Sequence, residues 1–145
     1  MIRTMIVNEK RRKVITEART WLKTPFGPGA VKGISCSCVG LIVECLDFVN
    51  LFDSADRIRP FLGFTIPMSR YVMIEELNKC FPNRVTHGSQ LPGDIALFHL
   101  GDGPKHVAFI SEYGNIIHSH AGYGKVVEHL CPKDWKIIMM YRLGV

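Results

Sequence analysis

Three stretches in the second half of the chain decide the fold class: Pro92-Gly-Asp-Ile-Ala-Leu-Phe98, Lys105-His-Val-Ala-Phe-Ile110 and Asn115-Ile-Ile-His-Ser-His120. Each is a short run of Val, Ile, Phe and Leu, and turn residues part them, first Gly101-Asp-Gly103 and then Tyr113-Gly114. Two more runs follow after Gly122-Tyr-Gly124. The spacing predicts five strands, Asp94 to Leu100, Lys105 to Ser111, Asn115 to Ser119, Lys125 to Leu130 and Lys136 to Arg142. Short turns between consecutive strands make them an antiparallel meander.

The first half reads differently. From Asn8, a suitable N-cap, apolar residues fall at Val14, Ile15, Ala18, Trp21 and Leu22, the period of an amphipathic helix that stops at Thr24-Pro25. Residues 25–37 hold Pro25, Gly27, Pro28, Gly29 and Gly33, which predicts a shaped loop without a regular element. A second helix begins at Ser37 or Cys38 and runs through Leu41, Ile42, Cys45, Leu46 and Val49, apolar on nearly all sides and therefore buried. Residues 50–68, broken by Pro60, Gly63 and Pro67, read as irregular. A third helix fits Ser69 to Cys80, with Val72, Met73, Leu77 and Cys80 inward and Pro82 beyond its end. Helices first and an antiparallel sheet after them give an α+β fold.

The chain has 145 residues, the size of one domain spanning 1–145. With 47% hydrophobic and 21% charged residues it can build an ordinary core, which excludes a disordered chain. The longest apolar stretches, Val39 to Leu46 and Ile137 to Tyr141, fall far short of the roughly 20 residues a membrane span requires. The net charge of +5 comes from residues 1–24, which carry seven Lys or Arg against Glu9 and Glu17. No aromatic residue interleaves Lys10, Arg11, Arg12 and Lys13, so this is a solvated helix face with no nucleic-acid partner. Basic residues follow the apolar start of the chain, the reverse of a signal peptide, and five cysteines is an odd, low count. Synthesis in the cytoplasm without a signal peptide and with reduced thiols is expected.

Three polar features can carry chemistry: Cys36-x-Cys38 at the start of a buried helix, His106 on one strand and His118-x-His120 on the next. Side chains alternate along a strand, so His106, Ala108 and Ile110 share a face, as do Ile116, His118 and His120. In a hairpin those faces coincide, which makes His106 a neighbour of His118 or His120. A thiol at a helix start, beside an imidazolium, is expected to be a thiolate at pH 7. A second histidine on the far ring nitrogen would orient the first. Gly40 would leave room for a substrate to reach the sulfur. A zinc site of Cys36, Cys38, His118 and His120 has suitable ligands, but one residue between the cysteines is too short a step, so no metal and no cofactor are expected. Cys45 and Cys80 fit apolar helix faces and Cys131 a turn. His87, His99 and His129 read as surface or satisfied histidines, and Asp94 as a structural turn residue.

These residues also carry a resemblance. Trp21-Leu-Lys-Thr-Pro-Phe26, Gly33-Ile-Ser-Cys-Ser-Cys-Val-Gly-Leu41, Pro92-Gly-Asp-Ile-Ala-Leu-Phe98, Lys105-His-Val-Ala-Phe-Ile110 and Asn115-Ile-Ile-His118 resemble, in order, the NlpC-type cell-wall peptidases. The likeness is to their short phage-tail and gene-transfer-agent branch. It implies a papain-like fold with helices packed on a small antiparallel sheet, Cys38 as nucleophile, His106 as general base and His118 as the third polar residue. His120 could stand in for His118. The implied substrates are peptidoglycan stem peptides, commonly cut at the γ-D-glutamyl to diamino acid bond. The implied partners are proteins of a phage-tail-like particle that carries the chain to the cell wall.

Two positions depart from the family pattern. Its Asp before the cysteine is Ser37 here, which keeps a cap and loses a charge. Its frequent Tyr, whose hydroxyl would help hold the oxyanion, is Phe26, and a missing donor of that kind costs roughly 100- to 1000-fold in rate. These departures keep open a catalytically weak or inactive tail-assembly protein on the same fold.

Overall fold

A computed structural model describes residues 2–61, 72–100 and 103–143. Helix α1 (Ile2–Thr20) buries Val14, Ile15 and Ala18, and Trp21 is buried just past its end. It extends back through Asn8, which therefore lies inside the helix and does not cap it. An asparagine within a helix costs only tenths of a kcal/mol, about 0.7 at most, so nothing at that position stops the turn.

The loop expected over residues 25–37 contains a small hairpin, β1 (Ala30–Val31) paired with β2 (Ser35–Cys36). Helix α2 (Cys38–Phe48) follows, with Val39 to Val43, Cys45 and Leu46 all buried. Where irregular chain was expected there is a helix, α3 (Phe52–Ile58), and a 3-10 turn at Arg59–Phe61. Seven residues are too few for a helical period to show in the sequence. Ala55 and Ile58, three apart, supply the buried side of α3, and Arg59 grips the Asp47 carboxylate of α2 at 2.9 and 3.1 Å. Helix α4 (Val72–Cys80) buries Leu77, while the cap expected at Ser69 lies outside the described residues.

The five expected strands are present as β3 (Ile95–Leu100), β4 (Gly103–Ile110), β5 (Asn115–His120), β6 (Lys125–Leu130) and β7 (Lys136–Tyr141). They form one antiparallel sheet in the order β6-β5-β4-β3-β7. The meander therefore ends at β6, and β7 crosses to the far side to pair with β3, with Tyr141 opposite Ile95 and Met140 opposite Ala96. Met140 and Tyr141 point to opposite faces and are both buried, a demand met beside β3, which is covered on both faces.

Ile95, Leu97, Val107, Phe109, Ile117 and Tyr141 face the helices and join their core. Ala96, Phe98, Ala108, Ile110, Ile116 and Met140 build a second apolar cluster on the other face, against Trp135, Ile137 and Cys131. The architecture is α+β, helices on an antiparallel sheet. A turn at residues 91–94 anchors β3. Gly93 takes a φ of +94°, with α1 so close that a Cβ there would lie 2.8 Å from the Arg11 Cβ. Asp94, fully buried, accepts from the Leu91 amide at 2.7 Å and from Arg142 at 3.0 and 2.9 Å.

Candidate active site

The site forms where β4 and β5 part. They are paired at Phe109–Ile117 and Ile110–Ile116, and toward His106 and Ser119 the ladder opens. The segment leading into α2 sits at this opening. Ser119 donates its hydroxyl to the Cys36 carbonyl at 2.6 Å, and the Val107 amide hydrogen-bonds the Cys38 sulfur. Cys38 thus lies against β4 beside the residue that follows His106. It is the first residue of α2, with Ser37 as its N-cap in extended conformation and the Ser37 hydroxyl accepting from the Gly40 amide at 2.9 Å.

Gly40 is needed for packing. It is buried, and a Cβ there would fall 2.4 Å from the Gly29 carbonyl oxygen. Its missing side chain admits the β1 loop against α2. Cys36 is fully buried, its thiol donates to the Ser37 carbonyl at 3.2 Å, and burial pushes it up to about 12. Among the described residues no group of three His, Cys, Asp or Glu is arranged to hold a metal ion.

On the sheet face away from the helices, imidazoles line up. His106 Nε2 lies 2.7 Å from His118 Nδ1, His118 Nε2 lies 2.8 Å from His129 Nε2, and His129 Nδ1 lies 2.8 Å from the Leu130 carbonyl oxygen. His106 and His118 are buried and His129 is half-buried. The chain leaves His106 Nδ1 as the ring nitrogen outside it. His120 stands beside this line, with its ring 5.0 Å from that of His106, and its Nδ1 accepts from the Gly122 amide at 3.0 Å. His118, not His120, is the hydrogen-bonded neighbour of His106. Trp135 packs edge-on against His106 and His118 at 5.7 and 5.3 Å, and Tyr123 lies 4.6 Å from His129. Phe26 is half-buried. It bridges to Cys36, and its amide donates to the Gly124 carbonyl at 2.9 Å.

The electrostatics oppose charge here. Burial, with His118 and His120 close by, holds His106 well below the usual imidazole range. Burial and the neighbouring His129 and His120 bring His118 down to about 3, and burial with His129 lowers His120. Burial also raises the Cys38 thiol, against the pull of the Val107, Val39 and Cys38 amides. Both directions run against the expected thiolate, since burial disfavours charge on the thiol and on the imidazole alike.

The sequence reading gave His129 no partner, taking it as a surface or satisfied histidine; the structure shows it satisfied, and by His118. The signal was there: β6 pairs antiparallel with β5, His129 lies opposite Ile116, and Ile116 shares its face with His118. His87 and His99 are exposed, as expected.

Solved structures share this arrangement of elements. The P60 domain of an antigen from M. avium paratuberculosis superposes with a TM-score of 0.66 at 14% identity, over 99% of both chains. The fold is that of an NlpC/P60 domain. Two further NlpC/P60 structures come from Mycobacterium tuberculosis. RipB, a peptidoglycan hydrolase, gives 0.60 at 18% identity over 94% of this chain and 65% of its own. RipD, a non-catalytic NlpC/p60 domain protein adapted to peptidoglycan binding, gives 0.57 at 14% over 92% and 97%. No family model and no curated protein matches the sequence. The NlpC/P60 fold thus hosts both a hydrolase and a non-catalytic protein, and the chemistry has to be argued from the site.

Proposed function

We propose that the chain is a cysteine hydrolase that cleaves amide bonds in peptidoglycan stem peptides, of the γ-D-glutamyl-diamino acid endopeptidase type. The observation that carries this reading is the placement of Cys38 at the start of α2, on the amide of Val107, next to a histidine backed by a second. His106 Nδ1 takes the thiol proton as the sulfur attacks the substrate carbonyl, so the thiolate forms only during attack. Backbone amides at the start of α2 support the oxyanion, in place of the hydroxyl that Phe26 lacks. The C–N bond breaks as His106 returns the proton to the leaving amine. Water, deprotonated by His106, then hydrolyses the thioester, and the proton goes back to the sulfur.

The resemblance to the phage-tail branch supports a chain made in the cytoplasm and carried on a phage-tail-like particle to the cell wall, with the particle's proteins as partners. Among the described residues no helix is long and apolar enough to cross a membrane. The test is digestion of purified stem peptides and disaccharide-peptides, read by mass spectrometry. Cleavage is expected from the native chain and none from Cys38→Ala with an unchanged circular dichroism spectrum. Phe26 and Ser37, which depart from the family pattern, favour one other reading, a weak or inactive tail-assembly protein on the same fold, and a folded native chain with no turnover on any stem peptide would favour it.

A further inference from the structure

We infer that His129 is a positioning residue that sets the proton arrangement of the whole histidine line. This role rests on the hydrolase reading for its purpose, while the hydrogen-bond distances along the line carry it. A carbonyl oxygen can only accept, so the contact of His129 Nδ1 with the Leu130 carbonyl at 2.8 Å requires a proton on Nδ1. A neutral His129 has then used its single ring proton, and its Nε2 must accept. The contact at 2.8 Å to His118 Nε2 is therefore an N–H donated by His118. His118, in turn neutral, has a bare Nδ1, which accepts from His106 Nε2–H at 2.7 Å. One backbone carbonyl thus dictates three tautomers. The end result is a lone pair on His106 Nδ1, the state a general base needs to accept the thiol proton.

Without the acceptor at residue 129, this order loses its anchor. His118 could carry its proton on Nδ1 and donate to His106 Nε2. His106 would then hold its proton on Nδ1, where it blocks the base. Burial of His106 and His118 disfavours charge on either ring, so tautomer exchange is the route by which the order would fail.

The test is two-bond proton–nitrogen NMR of the full chain labelled with 15N-histidine, at pH 8, where a histidine of ordinary pKa near 6.5 is neutral. The pattern expected is His129 protonated on Nδ1 and His118 and His106 on Nε2. Observation of His106 or His118 protonated on Nδ1 in the native chain would overturn the inference with no variant required. In His129→Phe, which keeps a ring of similar bulk, His106 is expected to shift toward the Nδ1–H form, with iodoacetamide alkylation of Cys38 slowed about tenfold. His129→Gln, whose side-chain oxygen reaches the same place as an acceptor, should restore both readouts, which a merely structural role would not explain. If the Phe variant does not fold, His129→Gln against His129→Lys, a donor only, makes the same comparison. Unchanged tautomers and alkylation in Phe or Lys variants would refute the proposal. If the native chain cleaves no stem peptide, the hydrolase reading fails, while the tautomer pattern still decides this one.

Discussion

Burial opposes charge on both Cys38 and His106, and this has a measurable consequence. It raises the thiol and lowers the imidazole. Alkylation of Cys38, mapped by mass spectrometry so that the other cysteines do not confuse the signal, should therefore rise with pH to a midpoint above the ordinary thiol value of about 8.5. A midpoint below 7 would instead reveal a thiolate–imidazolium pair. In the proposed mechanism Phe26 offers no hydroxyl, and the charge developing on the substrate oxygen is left to backbone amides.

At the level of elements, the start of α2 depends on Ser37, whose hydroxyl holds the Gly40 amide. Ser37→Ala should cost about 1 kcal/mol, read as a lower urea midpoint with unchanged slope, and Ser37→Asp should keep the cap. The strands were legible because β3 to β6 are short runs rich in Val, Ile, Phe and Leu bounded by turn residues, and their limits agree with the sequence reading to within two residues. Helix α3 was not legible. At seven residues its identity comes from the Arg59–Asp47 contact with α2, a partner distant in sequence. The place of β7 was equally hidden, since local sequence marks a strand and does not name its neighbour.

For the whole molecule, two buried polar devices set the response to pH and mutation. The first is Asp94, fully buried under Arg142, which ties the turn before β3 to the chain after β7. Asp94→Ala should lower the unfolding free energy by about 3 kcal/mol, because Arg142 is left beside an empty acceptor site. The second is the histidine line. His118 titrates at about 3 in the folded chain against an ordinary value of 6.5, so between those values the unfolded chain binds the extra proton. Stability is therefore intact above about 6.5 and falls with acid, by about 1.4 kcal/mol per pH unit for each histidine kept neutral. Urea melts from pH 7.5 down to 4 should show that slope, and a flat profile would mean that His118 is protonated in the folded state.

The sequence by itself determined the fold class, the strand limits, the helix carrying Cys38 and the shared face of His106 and His118. Those are consequences of period and turn chemistry, which act between near neighbours. Only the tertiary structure decided the rest. Closing β6 onto β5 brought His129 into line, crossing β7 onto β3 completed both cores, and packing the Cys38 segment at the β4–β5 opening desolvated the thiol. Each of these depends on partners far apart along the chain, and desolvation and hydrogen-bond direction exist only once those partners meet.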